Sequence, residues 1–304
     1  MTGARARAAA VLAAALAIGA AHPAAAFVRY ETETGAPFYW AVETIPIAAY
    51  PNDFTQSTMT TDQVENAVSS AAAAWSASEN TCTYLTLLTS FSTGATPVAG
   101  NDGHNSVIFR SDSWCQLGSD HVTCEATYDA SALAVTTDWA NTKTGQIYDA
   151  DIEVNLIDFQ WADVVEDPML GGDMDLQNAL THEMGHLIGL DHTCYNALTA
   201  TAPRPLDNTG QPVPDCVGAS AQVQETTMYP SATPGDIEKR TLAPDDIDGL
   251  CTIYSIDDPP PPPGSTVSGG CEGCATAGHP TGGLAALAAG AALIAARRRR
   301  QAAR

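Results

Sequence analysis

The chain is 304 residues long, and hydrophobic residues make up 45% of it, enough to bury a sizeable core. Its formal net charge is −22, and between residues 27 and 270 only six basic residues stand against 34 acidic ones. Because such a surface repels phosphate backbones, we expect no nucleic-acid partner.

The first 26 residues have the organisation of a secretory signal peptide. Arg5 and Arg7 precede an apolar run over residues 8–21, and the segment ends in three alanines before Phe27. A membrane anchor is the alternative, but the run is short for a bilayer span. We therefore predict export, with cleavage before Phe27.

The first elements of the folded part are a strand, a helix and a strand. Residues 42–50 and 106–110 are predicted strands. Between them, residues 60–78 keep one apolar face at helical spacing, and Asp62 with Glu65 can form a capping box. No repeat or linker interrupts residues 39–256, which indicates one domain.

Two strands and two helices are predicted next. Residues 132–139 and 147–157 are β-rich or alternating, with a turn at residues 141–145 between them. Residues 171–189 and 243–255 are predicted helices. The order of helix, sheet, helix, irregular stretch and helix indicates an α+β domain.

The two later helices carry start and stop signals. Asp173 or Asp175 can serve as N-cap of the first, and Gly189 can close it. Pro244 lies in the first turn of the second, close to three acidic residues at its positive end.

Six cysteines of this exported domain are expected to form three disulfides. Short loops favour Cys115–Cys124 and Cys194–Cys216, which leaves Cys82–Cys251, although the sequence does not choose among the pairings that six cysteines allow. A zinc–thiolate cluster is the rival interpretation, but none of the six forms a CxxC pair.

The C-terminal part is predicted to be a linker, residues 257–270, and a tail, residues 271–304. In the tail two cysteines, Cys271 and Cys274, precede an apolar run over residues 284–296 and four arginines. This arrangement resembles the C-terminal sorting tails of myxobacterial surface proteins, which implies surface display and processing near a cysteine. A plain tail anchor is the alternative. Either way, membrane contact is expected only through this tail, with the domain at the cell surface or released from it.

The stretch "LTHEMGHLIGLDHT" carries the chemistry of the chain. His182 and His186 are four residues apart, so a helix places both imidazoles on one face, where they can share a metal ion. Gly189 lets the chain turn so that His192 can return as a third ligand. Three protein ligands leave one position open, as in catalytic zinc sites, and Glu183 is placed to act as a base.

These residues resemble the metzincin signature, a zinc motif followed by a methionine turn. Within that group the chain is similar to the matrixins, the group that contains the matrix metalloproteinases. Met228, Tyr229 and Pro230 match their methionine turn, residues 243–255 resemble their final helix, and Thr193 stands where serine is usual. The resemblance implies a zinc endopeptidase that hydrolyses extracellular proteins.

The resemblance also implies structure over residues 39–255, within a catalytic domain of residues 27–256. It implies a twisted, mostly parallel sheet with an antiparallel edge strand and three main helices. Met228 would form a hydrophobic floor below the zinc ligands. The substrate-pocket wall would comprise Pro230, Ser231 and Ala232.

Two departures from the matrixin pattern are visible. No cysteine lies between Phe27 and the domain, so inhibition by a propeptide cysteine is not expected. Residues 132–139 contain no histidine to hold a second zinc, so we predict a single zinc ion. His104 and His121 are interpreted as surface loop residues rather than ligands.

A calcium site is a further hypothesis. The segment "DADIEVN" stands where the family places calcium-binding carboxylates. Asp149, Asp151 and Glu153 alternate along a strand and would project to one side, where their mutual repulsion favours a cation. A solvated acidic face is the alternative.

The sequence therefore predicts a monomeric zinc endopeptidase acting on protein or peptide substrates. A water at the open zinc position would be the nucleophile, and Glu183 the general base. The substrate would pair as an added strand along residues 132–139. The alternatives are an inactive surface binding module with this fold and a self-processing surface protein.

Overall fold

A computed structural model of the chain describes residues 26–118, 120, 122–196 and 203–260. The predicted signal peptide up to Ala25, the linker from residue 261 onward and the C-terminal tail lie outside these residues, as does His121. None of the described helices is long and apolar enough to cross a membrane.

Twelve short strands and four helices are present within the described residues. The strands are β1 (Val28–Arg29), β2 (Tyr39–Trp40), β3 (Thr44–Ala49), β4 (Thr86–Phe91), β5 (Asn105–Arg110), β6 (Cys115–Leu117), β7 (Cys124–Thr127), β8 (Ala134–Ala140), β9 (Gln146–Asn155), β10 (Trp161–Ala162), β11 (Met174–Asp175) and β12 (Leu190–Asp191). The helices are α1 (Thr61–Ala74), α2 (Leu176–Leu187), α3 (Ala221–Gln224) and α4 (Pro244–Ile253), and 3₁₀ turns occur at Pro51–Asp53, Pro168–Leu170 and Glu238–Arg240.

The central sheet has six strands and is mostly parallel. Its order is β2-β9-β5-β3-β4, with all of these pairs parallel, and β8 pairs with β9 antiparallel. Helix α1 packs against β4 and α2, and α2 packs against β8 and β9. The prediction of an α+β domain with a mostly parallel sheet and an antiparallel edge strand is confirmed at this level.

The capping box of helix α1 lies two residues earlier than predicted. The box is formed by Thr60 and Gln63, whose side chain accepts from the Thr60 backbone N–H at 2.8 Å. The prediction of Asp62 and Glu65 was wrong because Asp62 already lies inside the first turn, whereas an N-cap needs the extended backbone that Thr60 adopts. The predicted apolar face is buried.

Helix α2 is fixed at both ends. Asp175 is the N-cap and accepts from the Asn178 backbone N–H at 2.9 Å. At the other end, Trp40 Nε1 donates to the Leu187 carbonyl and the Tyr254 hydroxyl donates to the Ile188 carbonyl, both at 2.7 Å. These bonds satisfy carbonyls that a helix end leaves without intrahelical partners.

Gly189 reverses the chain directly after α2, as predicted. Its φ is +95°, a backbone conformation that favours glycine. A Cβ atom there would also lie 2.7 Å from the Phe38 carbonyl oxygen. The turn leads into β12, which pairs antiparallel with β1.

Three disulfides close the described domain, two with the pairing favoured by short loops and the third with the pairing that was left. Cys82–Cys251 joins the segment before β4 to α4, Cys115–Cys124 joins the hairpin of β6 and β7, and Cys194–Cys216 closes part of the stretch after β12. The disulfide prediction is confirmed.

Candidate metal centre

Three histidine side chains converge beside the end of α2. His182 and His186 lie one turn apart on the helix, and His192 follows β12. His186 Nε2 lies 3.1 Å from the Nε2 atoms of both His182 and His192. Among the described residues this is the one group of three metal-ligand side chains whose ligand atoms all lie within 4.8 Å of one another. The structure therefore brings the three predicted ligands together.

Hydrogen bonds set the tautomers of two of these rings. His182 Nδ1 lies 2.6 Å from the Thr227 carbonyl oxygen, and His186 Nδ1 lies 2.8 Å from the Leu190 carbonyl oxygen. A carbonyl only accepts, so Nδ1 carries the proton and Nε2 keeps a free lone pair. Burial lowers the pKa of all three imidazoles, that of His186 to about 4, and this keeps the rings neutral.

The spacing of the Nε2 atoms fits a shared cation. The unprotonated nitrogens of His182 and His186 cannot hydrogen-bond each other at 3.1 Å, since neither has a proton to donate. Tetrahedral zinc with Zn–N bonds of about 2.0–2.1 Å separates its ligand nitrogens by about 3.3 Å. Neutral imidazole nitrogen is also a preferred zinc ligand. The donor set therefore fits zinc.

Glu183 is fully buried and follows the first histidine ligand. Its Oε2 accepts from the Thr136 hydroxyl at 2.7 Å, while its Oε1 has no partner among the described residues. Burial raises the pKa of the Glu183 carboxyl to about 8, and the hydrogen bond from Thr136 opposes that rise. The carboxyl group is thus held by one oxygen and can exchange a proton at the other.

Met228 packs directly against the turn of α2 that carries the histidines. It is 1% exposed, and a Cβ atom on Gly185 would lie only 2.2 Å from its Sδ. The same Cβ would lie 2.9 Å from Trp75. Glycine between the two helical histidines therefore allows the close approach of Met228, which was predicted to lie beneath the ligands.

Helix α4 reaches the site through the residue before Met228. Asp246 Oδ2 accepts from the Thr227 backbone N–H at 2.8 Å, and the Thr227 carbonyl accepts from His182. On the other side, the Thr193 backbone N–H donates to the Met228 carbonyl at 3.2 Å. The orientation of His182 thus depends on contacts far apart in sequence.

The predicted pocket wall follows Met228. Pro230 and Ala232 are buried and Ser231 is partly exposed. The carbonyl of Tyr229, which precedes them, accepts a hydrogen bond from the ammonium group of Lys239. Strand β8, which contacts α2, pairs with β9 along one edge, and no described strand pairs with its second edge.

The three carboxylates of the calcium hypothesis already have protein partners. Asp149 Oδ2 accepts from the backbone N–H groups of residues 102 and 103, at 2.6 and 2.8 Å. Asp151 accepts from those of residues 100 and 106, both at 2.9 Å. Glu153 accepts from the Tyr128 hydroxyl at 2.7 Å and lies 3.4 Å from Arg110 Nε. All three are buried, so they are not a solvated acidic face. The calcium site stays a prediction.

Sequence reasoning missed several residues of the site. Each of the missed residues contacts a partner that is distant in the sequence. They are Thr136, Gly185, Asp246 and Lys239, and the partner of Gly185 is Met228. The glycine was visible inside the motif, and a glycine in a helix interior is a signal of close packing. His104 has a side chain that is 79% exposed, in agreement with its interpretation as a surface residue.

No protein-family model matches the sequence, and no curated protein matches it.

Proposed function

We propose that this chain is an exported zinc endopeptidase of the metzincin type, similar to the matrixins. The observation that carries the proposal is the convergence of three neutral imidazoles next to a buried carboxylate with one unpartnered oxygen. A structural zinc would be closed by a fourth protein ligand and would need no adjacent base. The α+β fold with its mostly parallel central sheet is compatible with this proposal.

In this proposal each residue of the site has a separate task. His182, His186 and His192 hold the zinc ion, which supplies Lewis acidity and makes water nucleophilic near neutral pH. Glu183 takes a proton from the attacking water and returns it to the leaving nitrogen. Thr136 holds the other carboxylate oxygen and so keeps the base in one orientation. The carboxyl ionises more readily beside a cation than its metal-free pKa indicates.

The substrate is proposed to bind between two parts of the chain. An extended peptide can add a strand to the second edge of β8, where backbone groups supply affinity. Thr136 lies on this strand, so peptide and general base are positioned by the same element. The side chain after the cut would lie against Pro230, Ser231 and Ala232.

The test compares casein cleavage by the wild-type chain and by Glu183→Gln, with Glu79→Gln as an exposed matched control. We expect Glu183→Gln to lower kcat/KM by roughly 10²–10⁴-fold while it keeps its zinc, because general-base catalysis contributes that factor. Glu79→Gln should be unchanged. Equal cleavage by Glu183→Gln would refute the mechanism, and zinc-free wild type after chelator-free purification would refute the metal site. Bound zinc with no cleavage would favour the binding module instead.

A further inference from the structure

Lys239 is a buried lysine beside the candidate centre to which the proposed mechanism gives no role. It lies in the 3₁₀ turn Glu238–Arg240 and is 5% exposed. Its backbone N–H donates to Asn178 Oδ1 at 2.8 Å, one turn before His182 on α2, and its ammonium donates to the Tyr229 carbonyl. The side chain therefore spans the space between α2 and the segment after Met228.

No described carboxylate lies within ion-pair distance of this ammonium. Arg240, the next residue, contrasts with it, because its guanidinium lies 2.6 Å from Asp163 and 2.5 Å from Asp175. Burial lowers the pKa of Lys239 to about 7, although the charges of four carboxylates, Glu183, Asp246, Asp236 and Glu238, act to raise it. A buried ammonium without a direct ion pair is costly, and such charges are ordinarily paired.

The ammonium is also electrostatically close to the reaction centre. Its charge lowers the pKa of His182, His186 and His192, and the charge of Glu183 acts on it in turn. Its hydrogen-bond acceptor, Tyr229, is the residue between Met228 and the proposed pocket wall. In the proposed mode of binding, the side chain after the cut would lie against the segment that begins at this contact.

We propose that Lys239 forms an anion subsite that binds the carboxylate of an aspartate or glutamate in the residue following the cut. The inference rests on the proposed function and names its substrate class. The substrate carboxylate would give this ammonium a direct ion-pair partner, which no described carboxylate of the protein supplies. Two N–H groups of the ammonium remain for that carboxylate, because one is used by Tyr229.

The experiment uses three peptides that differ only at the position after the cut, which holds Glu, Gln or Leu. The zinc-loaded wild type should cleave the Glu peptide roughly 10–100-fold better than the Gln peptide, the size of a charge-assisted hydrogen bond. Lys239→Met should bring the Glu/Gln ratio close to one, and Lys239→Arg should restore part of it. Lys143→Met, in an exposed turn, should leave the ratio unchanged.

A binding measurement separates this inference from the proposed function. The zinc-loaded Glu183→Gln chain is titrated with the same peptides, alone and combined with Lys239→Met. Tighter binding of the Glu peptide that depends on Lys239, without cleavage by the wild type, would support the subsite and overturn the peptidase proposal. Equal binding and equal cleavage of the Glu and Gln peptides would overturn the subsite and leave the peptidase proposal intact.

Discussion

Gly185→Ala is the substitution whose effect the structure defines most sharply. The added methyl would lie 2.2 Å from Met228 Sδ and 2.9 Å from Trp75, far inside van der Waals contact. Neither neighbour has free space, since Trp75 is fully buried and Met228 is 1% exposed. Trp75 is also held in place, because its Nε1 donates to the Thr181 carbonyl at 2.7 Å.

Two opposing terms set the size of the effect. Alanine in a helix interior is favoured over glycine by about 1 kcal/mol, while forcing extra volume into a packed core costs about 1–3 kcal/mol. The overlap with Met228 places the cost of Gly185→Ala at the upper end. We therefore expect the free energy of unfolding to fall by about 1–2 kcal/mol. Gly172→Ala is the matched control, because its Cβ would meet nothing within 4 Å.

Urea unfolding of the single and double variants measures this directly. Met228→Ala alone should cost about 2–5 kcal/mol through the cavity it leaves. In the Gly185→Ala, Met228→Ala double variant the new methyl occupies part of that cavity. The double variant should thus be more stable than the sum of the single losses predicts, by about 1–3 kcal/mol. Strict additivity, or a Gly185→Ala chain as stable as wild type, would show that the contact is not as close as described.

Two further predictions concern stability away from the histidines. Burial raises the pKa of Asp151 from 3.8 to about 8, so between these values the unfolded chain has lost this proton while the folded chain keeps it. The free energy of unfolding of the wild type should therefore fall by about 1.4 kcal/mol per pH unit relative to Asp151→Asn between about pH 4 and 8. Urea unfolding of both chains across this pH range measures the difference. A difference that does not change with pH would contradict the buried acid. Loss of the pH dependence when calcium is added would support the calcium site. Replacing Cys82 and Cys251 by serine should lower the free energy of unfolding by about 5 kcal/mol, and replacing Cys115 and Cys124 by about 3 kcal/mol. The first bridge costs more because it spans 169 residues and the second spans 9. Equal losses would contradict this loop-entropy account.

Local patterns in the sequence were sufficient to predict the elements that carry the three proposed zinc ligands. The four-residue spacing of His182 and His186 and the positive φ at Gly189 both follow from the chemistry of nearby residues. The buried face of α1 and the strand β8 likewise follow from short-range patterns, whereas the position of β8 at the edge of the sheet was implied only by the family resemblance. These features depend on neighbours within a few positions, which is why a single sequence predicts them.

Contacts across the chain were not predictable in this way. Strand β4 was missed, and its six-residue parallel pairing with β3 joins segments about forty residues apart. Thr136 reaches Glu183 across 47 positions, and Trp40 reaches the Leu187 carbonyl across 147. No spacing rule connects such residues, because their proximity results from the packing of α2 on the sheet.

These distant contacts fix the position of α2, the helix that carries His182 and His186. Asp175 fixes the start of α2 and is itself paired with Arg240, while Trp40 and Tyr254 fix its end. Because none of these contacts involves a metal, the proposed function implies that the helix and its imidazoles are in place before zinc binds. Holding lone pairs of two nitrogens 3.1 Å apart is unfavourable in the metal-free chain. In the proposed function a zinc ion would remove that repulsion, so the rigidity of α2 would contribute to zinc affinity.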